Sequence, residues 1–280
     1  MTTINGITYM KKLNAEGNKP ISYLLHSCVH KNNIYDISKE PGFSFIGITW
    51  RLDPSFFFNM KGQEDKCILC LDDAGQIEKA KISQIPYLVC PTAVFCDLGK
   101  FKHAPCEKKY NAVLNCRNSL WKRRHLAINI DELALIYYPS PRSSEPDILS
   151  FPKAYRPNII DGIYNKLKPE DVSAVLNSCR VGLILSKKEG SPRAVVEYLL
   201  CGLPVVSTKA DCGRWEFLNE SNSLIVEDNA ESVNNGVKKA IELLENGTFL
   251  PSTISANTKG KIEAFRRDAE NKAGVRLLWD

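Results

Sequence analysis

The chain has 280 residues, 44% of them hydrophobic and 25% charged, with a formal net charge of +5 at neutral pH. That length suggests one or two domains of about 100–200 residues each, and no run approaches the roughly 18 apolar residues of a membrane span. The mild, scattered positive charge fits an anionic ligand or weak attraction to an anionic membrane surface and argues against a nucleic-acid partner. Residues 1–20 lack the apolar core of a signal peptide, so the ten cysteines read as reduced, cytosolic thiols.

The first third holds strand candidates at Ile21–Leu25, Phe43–Thr49, Cys67–Leu71 and Tyr87–Val89, and a short helix over Ala74–Ile82. These predict a small α/β domain over residues 1–105. Thr2–Asn18 offers no convincing opening strand or glycine-rich loop. His26 and His30 are the polar residues to watch in this domain, and His26 follows a strand. A loop or core histidine without chemistry is the competing reading. Phe56–Phe58 reads as a buried strand, or as an apolar contact for a lipid-linked acceptor. Cys67 and Cys70 have the spacing of metal ligands but lack a second pair and sit in an apolar run. They are expected to be structural thiols, and no metal is expected. Pro91–Pro105 reads as a linker.

A second domain is predicted over residues 106–260. Tyr110–Asn115 and Leu133–Tyr138 read as strands, 140–152 as a Pro- and Ser-rich loop, and Asn158–Ile163 as a strand broken at Asp161–Gly162. Pro169–Cys179 reads as a helix, and Val181–Leu185 as a buried strand. After the loop Lys187–Gly190, Ser191 is a good N-cap and Pro192 suits a first helical turn. Arg193–Cys201 then reads as a helix stopped by Gly202. Leu203–Ser207 and Ser223–Val226 read as strands and Ala230–Leu244 as a helix. A last helix is expected over Lys261–Arg276, rich in Arg, Lys and Glu. Strands alternating with helices imply parallel pairing and a doubly wound sheet.

Glu189 and Glu197 stand eight positions apart around a helix start. The free backbone N–H groups at Gly190, Ser191 and Arg193 would favour phosphate. Each carboxylate can accept hydrogen bonds from a pair of sugar hydroxyls. Either Glu alone also reads as an ordinary solvated charge. Upstream, Arg117 and Lys122 follow a strand. Arg forks onto a pyrophosphate, and Lys acts as a point charge. Lys122–Arg124 also reads as a plain basic helix start, with Arg123 and Arg124 at the surface or in the phosphate field.

The string Glu189-Gly190-x-Pro192, Glu197, Gly202-x-Pro204-Val205-Val206 resembles the donor-binding motif of GT-B retaining glycosyltransferases, the group 1 or family 4-like transferases. Arg117 and Lys122 match the spacing of that family's Arg and Lys, although Cys116 stands where its Gly usually is. The resemblance is specific over Asn111–Val226 and weak before it. It implies two Rossmann-like domains facing a cleft, the first reduced, and sugar transfer from a nucleotide-diphosphate sugar to an acceptor hydroxyl with retention. Glu189, Arg117, Lys122 and His26 are the implied catalytic residues. Glu197, Gly190, Ser191, Pro192 and Arg193 are implied to bind the donor, with Tyr164 and Leu167 at the base or packed at its rim. No cofactor is implied, and metal-independent chemistry is expected. A glycan or lipid-linked acceptor is implied, in polysaccharide, lipopolysaccharide or glycoconjugate synthesis, by a cytoplasmic chain with peripheral contact at the inner membrane face. Rival readings are a non-catalytic sugar-nucleotide-binding subunit and an epimerase or phosphorylase on the same fold. No Gly-x-Gly-x-x-Gly follows a strand, which argues against a dehydrogenase.

Overall fold

The computed structural model describes residues 2–4, 7–15, 20–26, 42–48, 62, 65–139, 151–190, 192–210, 216–274 and 276–279. The predicted features at His30, Phe56–Phe58, 140–150 and Ser191 lie outside them. The chain forms two compact units, residues 1–96 with 261–280, and residues 97–260.

The first unit is built on a seven-stranded sheet. Its strands are β1 (Thr2–Ile4), β2 (Ile7–Ala15), β3 (Pro20–His26), β4 (Phe43–Ile48), β5 (Cys67–Leu71) and β6 (Tyr87–Val89), in that spatial order. β3 to β6 run parallel, with Leu24 opposite Ile46, Ile46 opposite Leu69 and Cys70 opposite Leu88. All five residues of β5 are buried, as expected of a parallel strand covered on both faces. On one face Ile46, Cys67, Leu69 and Leu71 pack with Ala80 and Ile85, around helix α1 (Ala74–Ile82). Phe45, opposite Ile68, turns the other way. It meets Phe95, which meets Trp279, at ring separations of 5.9 and 5.5 Å.

The opening of this unit differs from expectation. β1 pairs β2 and β2 pairs β3, both antiparallel, so Thr2–Ile4 and Ile7–Ala15 are strands where none was expected. The overlooked signal is Asn5-Gly6, the dipeptide that most strongly marks a tight hairpin. A short strand near the carboxyl terminus (Leu277–Leu278, β14) adds to the free side of β2.

The second unit holds a five-stranded, all-parallel sheet in the order β13-β12-β11-β7-β8. These are β7 (Tyr110–Arg117), β8 (Leu133–Tyr138), β11 (Cys179–Ile184), β12 (Val205–Thr208) and β13 (Ser223–Val226). Helices α2 (Pro169–Asn177), α3 (Arg193–Leu200) and α4 (Ala230–Glu245) connect or cover them. Helix α5 (Pro251–Ala273) follows, its residues 251–260 counted with this unit and the rest with the first. The chain steps outward from β7 to β8, then returns to lay β11 on the other side of β7. That reversal of winding is where open α/β sheets bind ligands, at the carboxyl ends of the strands.

Two local departures matter. Asn158–Ile163 is not a sheet strand but part of a separate antiparallel hairpin, β9 (Ile159–Ile160) with β10 (Ile163–Tyr164). Asp161 and Gly162 have φ of 50° and 76°, the signature of a two-residue turn that folds a strand back on itself. Beside β8, the sheet edge is met by Tyr155 and by the buried side chain of Asn158. The Asn158 amide accepts from Tyr137 N at 3.1 Å and donates to Tyr137 O. It supplies one residue's worth of ladder.

The second departure is Gly182 in the middle of β11. A Cβ there would lie 2.5 Å from Cγ and 2.9 Å from Cε2 of Tyr198. Only glycine lets the fully buried Tyr198 ring lie flat against the strand. The ring's hydroxyl then accepts a 2.7 Å hydrogen bond from Asn115 N on β7. Helix α3 is thereby fixed over the winding reversal.

Candidate functional site

Four strand ends converge at the carboxyl edge of the five-stranded sheet, and one side chain ties three of them together. Arg123 sits between two short 3-10 turns, Leu120–Lys122 and Arg124–Ala127. Its backbone is left-handed, with φ 48° and ψ 43°, a conformation costing a non-glycine residue about 1 kcal/mol or more. The side chain explains the tolerance. Nε donates to Leu185 O after β11 at 2.6 Å, and Nη2 to Thr208 Oγ1 at the end of β12 at 2.7 Å. Nη1 pairs with Asp228 just beyond β13. Arg124 is 1% exposed. It donates to Asn118 Oδ1 and lies 5.4 Å from the Tyr137 ring centre. The expectation that Arg123 and Arg124 belong to the surface or the phosphate field is therefore corrected: both are internal struts. Their sequence neighbourhood looks basic because three loops need cross-linking there.

Lys122, one residue before this strut, faces the loop after β11. Its ammonium pairs with Glu189 Oε1, which also accepts from Ser186 Oγ at 2.6 Å. Glu189 is 9% exposed, so the charge sits in a partly desolvated environment where its partner matters. The 3-10 turn carrying Lys122 is tied to this loop through the backbone, Lys187 N to Trp121 O at 3.1 Å. Arg117, the last residue of β7, is exposed. Gly190 is half-buried in the loop.

The N-cap of α3 is Pro192, with φ −70° and ψ 118° and no side-chain cap bond. The helix begins at Arg193 as expected, and the cap position falls on Pro192 where Ser191 was expected. The N–H groups of Arg193 and Ala194 open the helix and by helix geometry need partners outside it. Gly202, with φ +78°, stops the helix where expected. A Cβ there would meet Pro251 O at 2.8 Å and His103 Nδ1 at 2.9 Å.

Glu197, one turn into α3, occupies a second pocket. Asn115 Nδ2 donates to its Oε2 at 3.3 Å, and Arg193 approaches its Oε1 at 3.8 Å. Burial pushes the Glu197 carboxyl above the usual carboxylate range, and the Arg193 charge draws it partly back. Tyr138, at the end of β8, belongs to the same pocket. Its hydroxyl is pushed up to about 12, first by burial and then by the Glu197 charge, with Tyr164 adding to the rise. Tyr164 is half-buried on β10, 6.3 Å edge-to-face from Tyr137. Leu167 is half-buried in the loop before α2. Residues at positions 115, 138, 164, 193 and 197 thus come together from three strands and one helix. Asn115 and Tyr138 carried no sequence signal. They enter the site only because β7 and β8 end beside α3.

His26 is the last residue of β3, opposite Ile7 and Ile48 in the first unit's sheet. Cys67 and Cys70 are three apart on β5, so strand alternation sends them to opposite faces. Among the described residues there is no group of three or more His, Cys, Asp or Glu side chains arranged to hold a metal.

Glu197 offers a test that separates binding from stability. Its folded-state pKa lies above the ordinary carboxylate value, so ionising it opposes folding. That cost sets in as pH rises past about 4.3 and is complete above the raised folded-state value. Glu197→Gln is therefore expected to raise the melting temperature of the ligand-free protein at pH 7, with the gain shrinking toward pH 4. If Glu197 receives a ligand's hydroxyls, the same change lowers affinity by about 10- to 100-fold, the value of hydrogen bonds to a charged group. Calorimetry with a nucleoside diphosphate reads the second effect, and unchanged affinity would defeat the assignment.

Residues 162–259, which include Glu189, Gly190 and Glu197 but not Arg117 or Lys122, match the sequence pattern of a family described as glycosyl transferases group 1. A search of curated proteins finds no match. Among solved structures, HepE from Anabaena in complex with UDP is similar with a TM-score of 0.60 and 13% identity, over 83% of this chain and 72% of that one. Sucrose-phosphate synthase from Thermosynechococcus elongatus is similar with a TM-score of 0.54 and 13% identity, over 79% and 63%. TarM is similar with a TM-score of 0.56 and 14% identity, over 84% and 51%. The chain thus spans less than two thirds of the last two proteins. At these identities the likeness speaks for the fold, and the fold is the α/β architecture of GT-B glycosyltransferases.

Proposed function

We propose that the protein is a retaining glycosyltransferase that moves a sugar from a nucleotide-diphosphate sugar to an acceptor hydroxyl. The observation that carries this reading is the arrangement at the winding reversal. A partly desolvated Lys122–Glu189 pair and the half-buried Glu197 with its Asn115 partner lie on the two sides of the α3 start. Glu197 would accept the ribose hydroxyls and Glu189 the donor sugar's hydroxyls, with Tyr164 and Leu167 beside the base. Arg117, Lys122 and the N–H groups opening α3 would hold the diphosphate. Their positive field strengthens in effect as charge grows on the leaving group. These groups supply the positive charge that a metal would otherwise bring, so turnover without added divalent cation is expected. The departing diphosphate would take the acceptor's proton on the face it leaves, which keeps the configuration. HepE has been crystallised with UDP-glucose, which makes a hexose nucleotide the first donor to try. The acceptor is proposed to be a glycan or a lipid-linked saccharide, and the setting the cytoplasmic face of a membrane. Among the described residues no helix is long and apolar enough to cross one.

A thermal-shift series with UDP, GDP, ADP and their sugar conjugates tests the reading. A true donor at a hundred times its Kd is expected to stabilise the fold by about 2.7 kcal/mol. No shift with any nucleotide would overturn it. A second reading, a binding subunit without turnover, draws on the ion pair between Lys122 and Glu189. It predicts the same thermal shift, with neither donor hydrolysis nor transfer.

A further inference from the structure

At the amino ends of β7 and β11, far along those strands from the carboxylate pockets, a thiol and an amine converge on one atom. The last carbonyl of α2, Asn177 O, accepts from Cys106 Sγ at 3.0 Å and from Lys108 Nζ at 2.6 Å. A terminal helix carbonyl has no partner within its helix, so it is open to both. Sulfur and nitrogen can be no further apart than two hydrogen bonds laid end to end. The carbonyl is held in place by its own side chain. Asn177 Oδ1 accepts from Ala104 N at 2.8 Å, and Nδ2 donates to Lys102 O and Ser173 O at 3.1 and 3.0 Å.

The two groups differ in access. Cys106 is exposed, while Lys108 is half-buried. Burial lowers the Lys108 amine from its ordinary value, which raises the fraction that carries a free lone pair near neutral pH. The neighbouring thiols do not compete. Cys179 and Cys201 are buried and pushed up to about 12 and about 11 by that burial.

We propose that Cys106 and Lys108 form an acyl-transfer pair, a lysine modification site whose acyl group comes from a small-molecule acyl thioester. The Cys106 thiolate attacks the thioester carbonyl. A new carbon–sulfur bond forms to Cys106, the old one breaks, and the departing thiolate takes up the thiol's proton. Lys108 Nζ then attacks the same carbonyl carbon. The carbon–nitrogen bond forms, the bond to Cys106 breaks, and the Cys106 sulfur recovers the amine's proton. The net change is one amide and one free small-molecule thiol, with no oxidant. The amide retains an N–H for Asn177 O and loses the positive charge.

The test uses the full folded chain with S-acetylglutathione, mapping acetylation by peptide mass spectrometry over time. Lys108 is expected to react at least about tenfold faster than the exposed Lys166, because the thioester on Cys106 makes the second step intramolecular. Cys106→Ser is expected to bring Lys108 down to the rate of Lys166. Lys108→Arg is expected to leave a hydroxylamine-labile acetyl group on Cys106, which reports the first step without relying on the serine variant. Equal rates at Lys108 and Lys166, an unchanged Lys108 rate in Cys106→Ser, or no labile adduct in Lys108→Arg would overturn the proposal.

Discussion

Replacing Lys122 by Ala is expected to lower turnover of the donor by about 10²–10³-fold, the loss seen when one preorganised donor to developing charge is removed. The ammonium has no substitute on the same turn, since Arg123 and Arg124 are committed to internal bonds. The change also strips Glu189 of its cation while leaving Ser186 as a donor, so some stability is lost with it. The two effects separate in a second variant. Adding Glu189→Gln to Lys122→Ala removes the carboxylate that faced the lost ammonium and is expected to restore most of the melting temperature while turnover stays low. If Lys122→Ala retains turnover, Lys122 is structural. If the double variant recovers both quantities, the loss was one of folding.

Gly182→Ala is expected to cost about 3 kcal/mol, from overpacking of about 1–3 kcal/mol and the strained or lost hydrogen bond between Asn115 N and Tyr198, about 1 kcal/mol. For a unit of this size that is a fall of about 6–12 °C in melting temperature. The methyl would sit inside the contact distance of the Tyr198 ring, and neither the strand nor the buried helix face can retreat without opening the core. Adding Tyr198→Leu to Gly182→Ala is expected to recover part of the loss, because the steric conflict is with the ring. A melting temperature within a degree or two of the original for Gly182→Ala alone would show that α3 shifts freely. The outcome bears on the site as well as on stability, since Glu197 precedes Tyr198 on the same helix.

Much of this site was legible in the chain because its parts are local. Glu189, Gly190 and Pro192 lie within one loop and Glu197 one turn further on, so spacing alone places two carboxylates about a helix start. The strand and helix order of the second unit follows from alternating apolar runs. What stayed hidden depends on contacts between distant segments. Asn115 and Tyr138 look like ordinary strand residues until β7 and β8 are brought beside α3. Arg123 and Arg124 look like a solvent-facing basic pair. Only the folded loops reveal acceptors at Leu185, Thr208 and Asn118. Asn158–Ile163 misleads for another reason: an apolar run of strand length does not say whether the strand continues or turns, and Asp161-Gly162 decides it. The same holds at the start of the first unit, where the dipeptide Asn5-Gly6 between two short runs is a hairpin signal that composition does not reveal.

The pairing of Lys122 with Glu189 has a bearing on which ligands are held. A free phosphate or pyrophosphate draws Lys122 away at the cost of its ion pair with Glu189, which is 9% exposed. A ligand with phosphates at one end and hydroxyls at the other compensates both members at once. On the proposed roles the pair therefore works as a coincidence detector, rewarding the intact sugar nucleotide over either of its fragments. After transfer the hydroxyl-bearing half departs, Glu189 reclaims its cation, and the remaining diphosphate is left with a weaker hold.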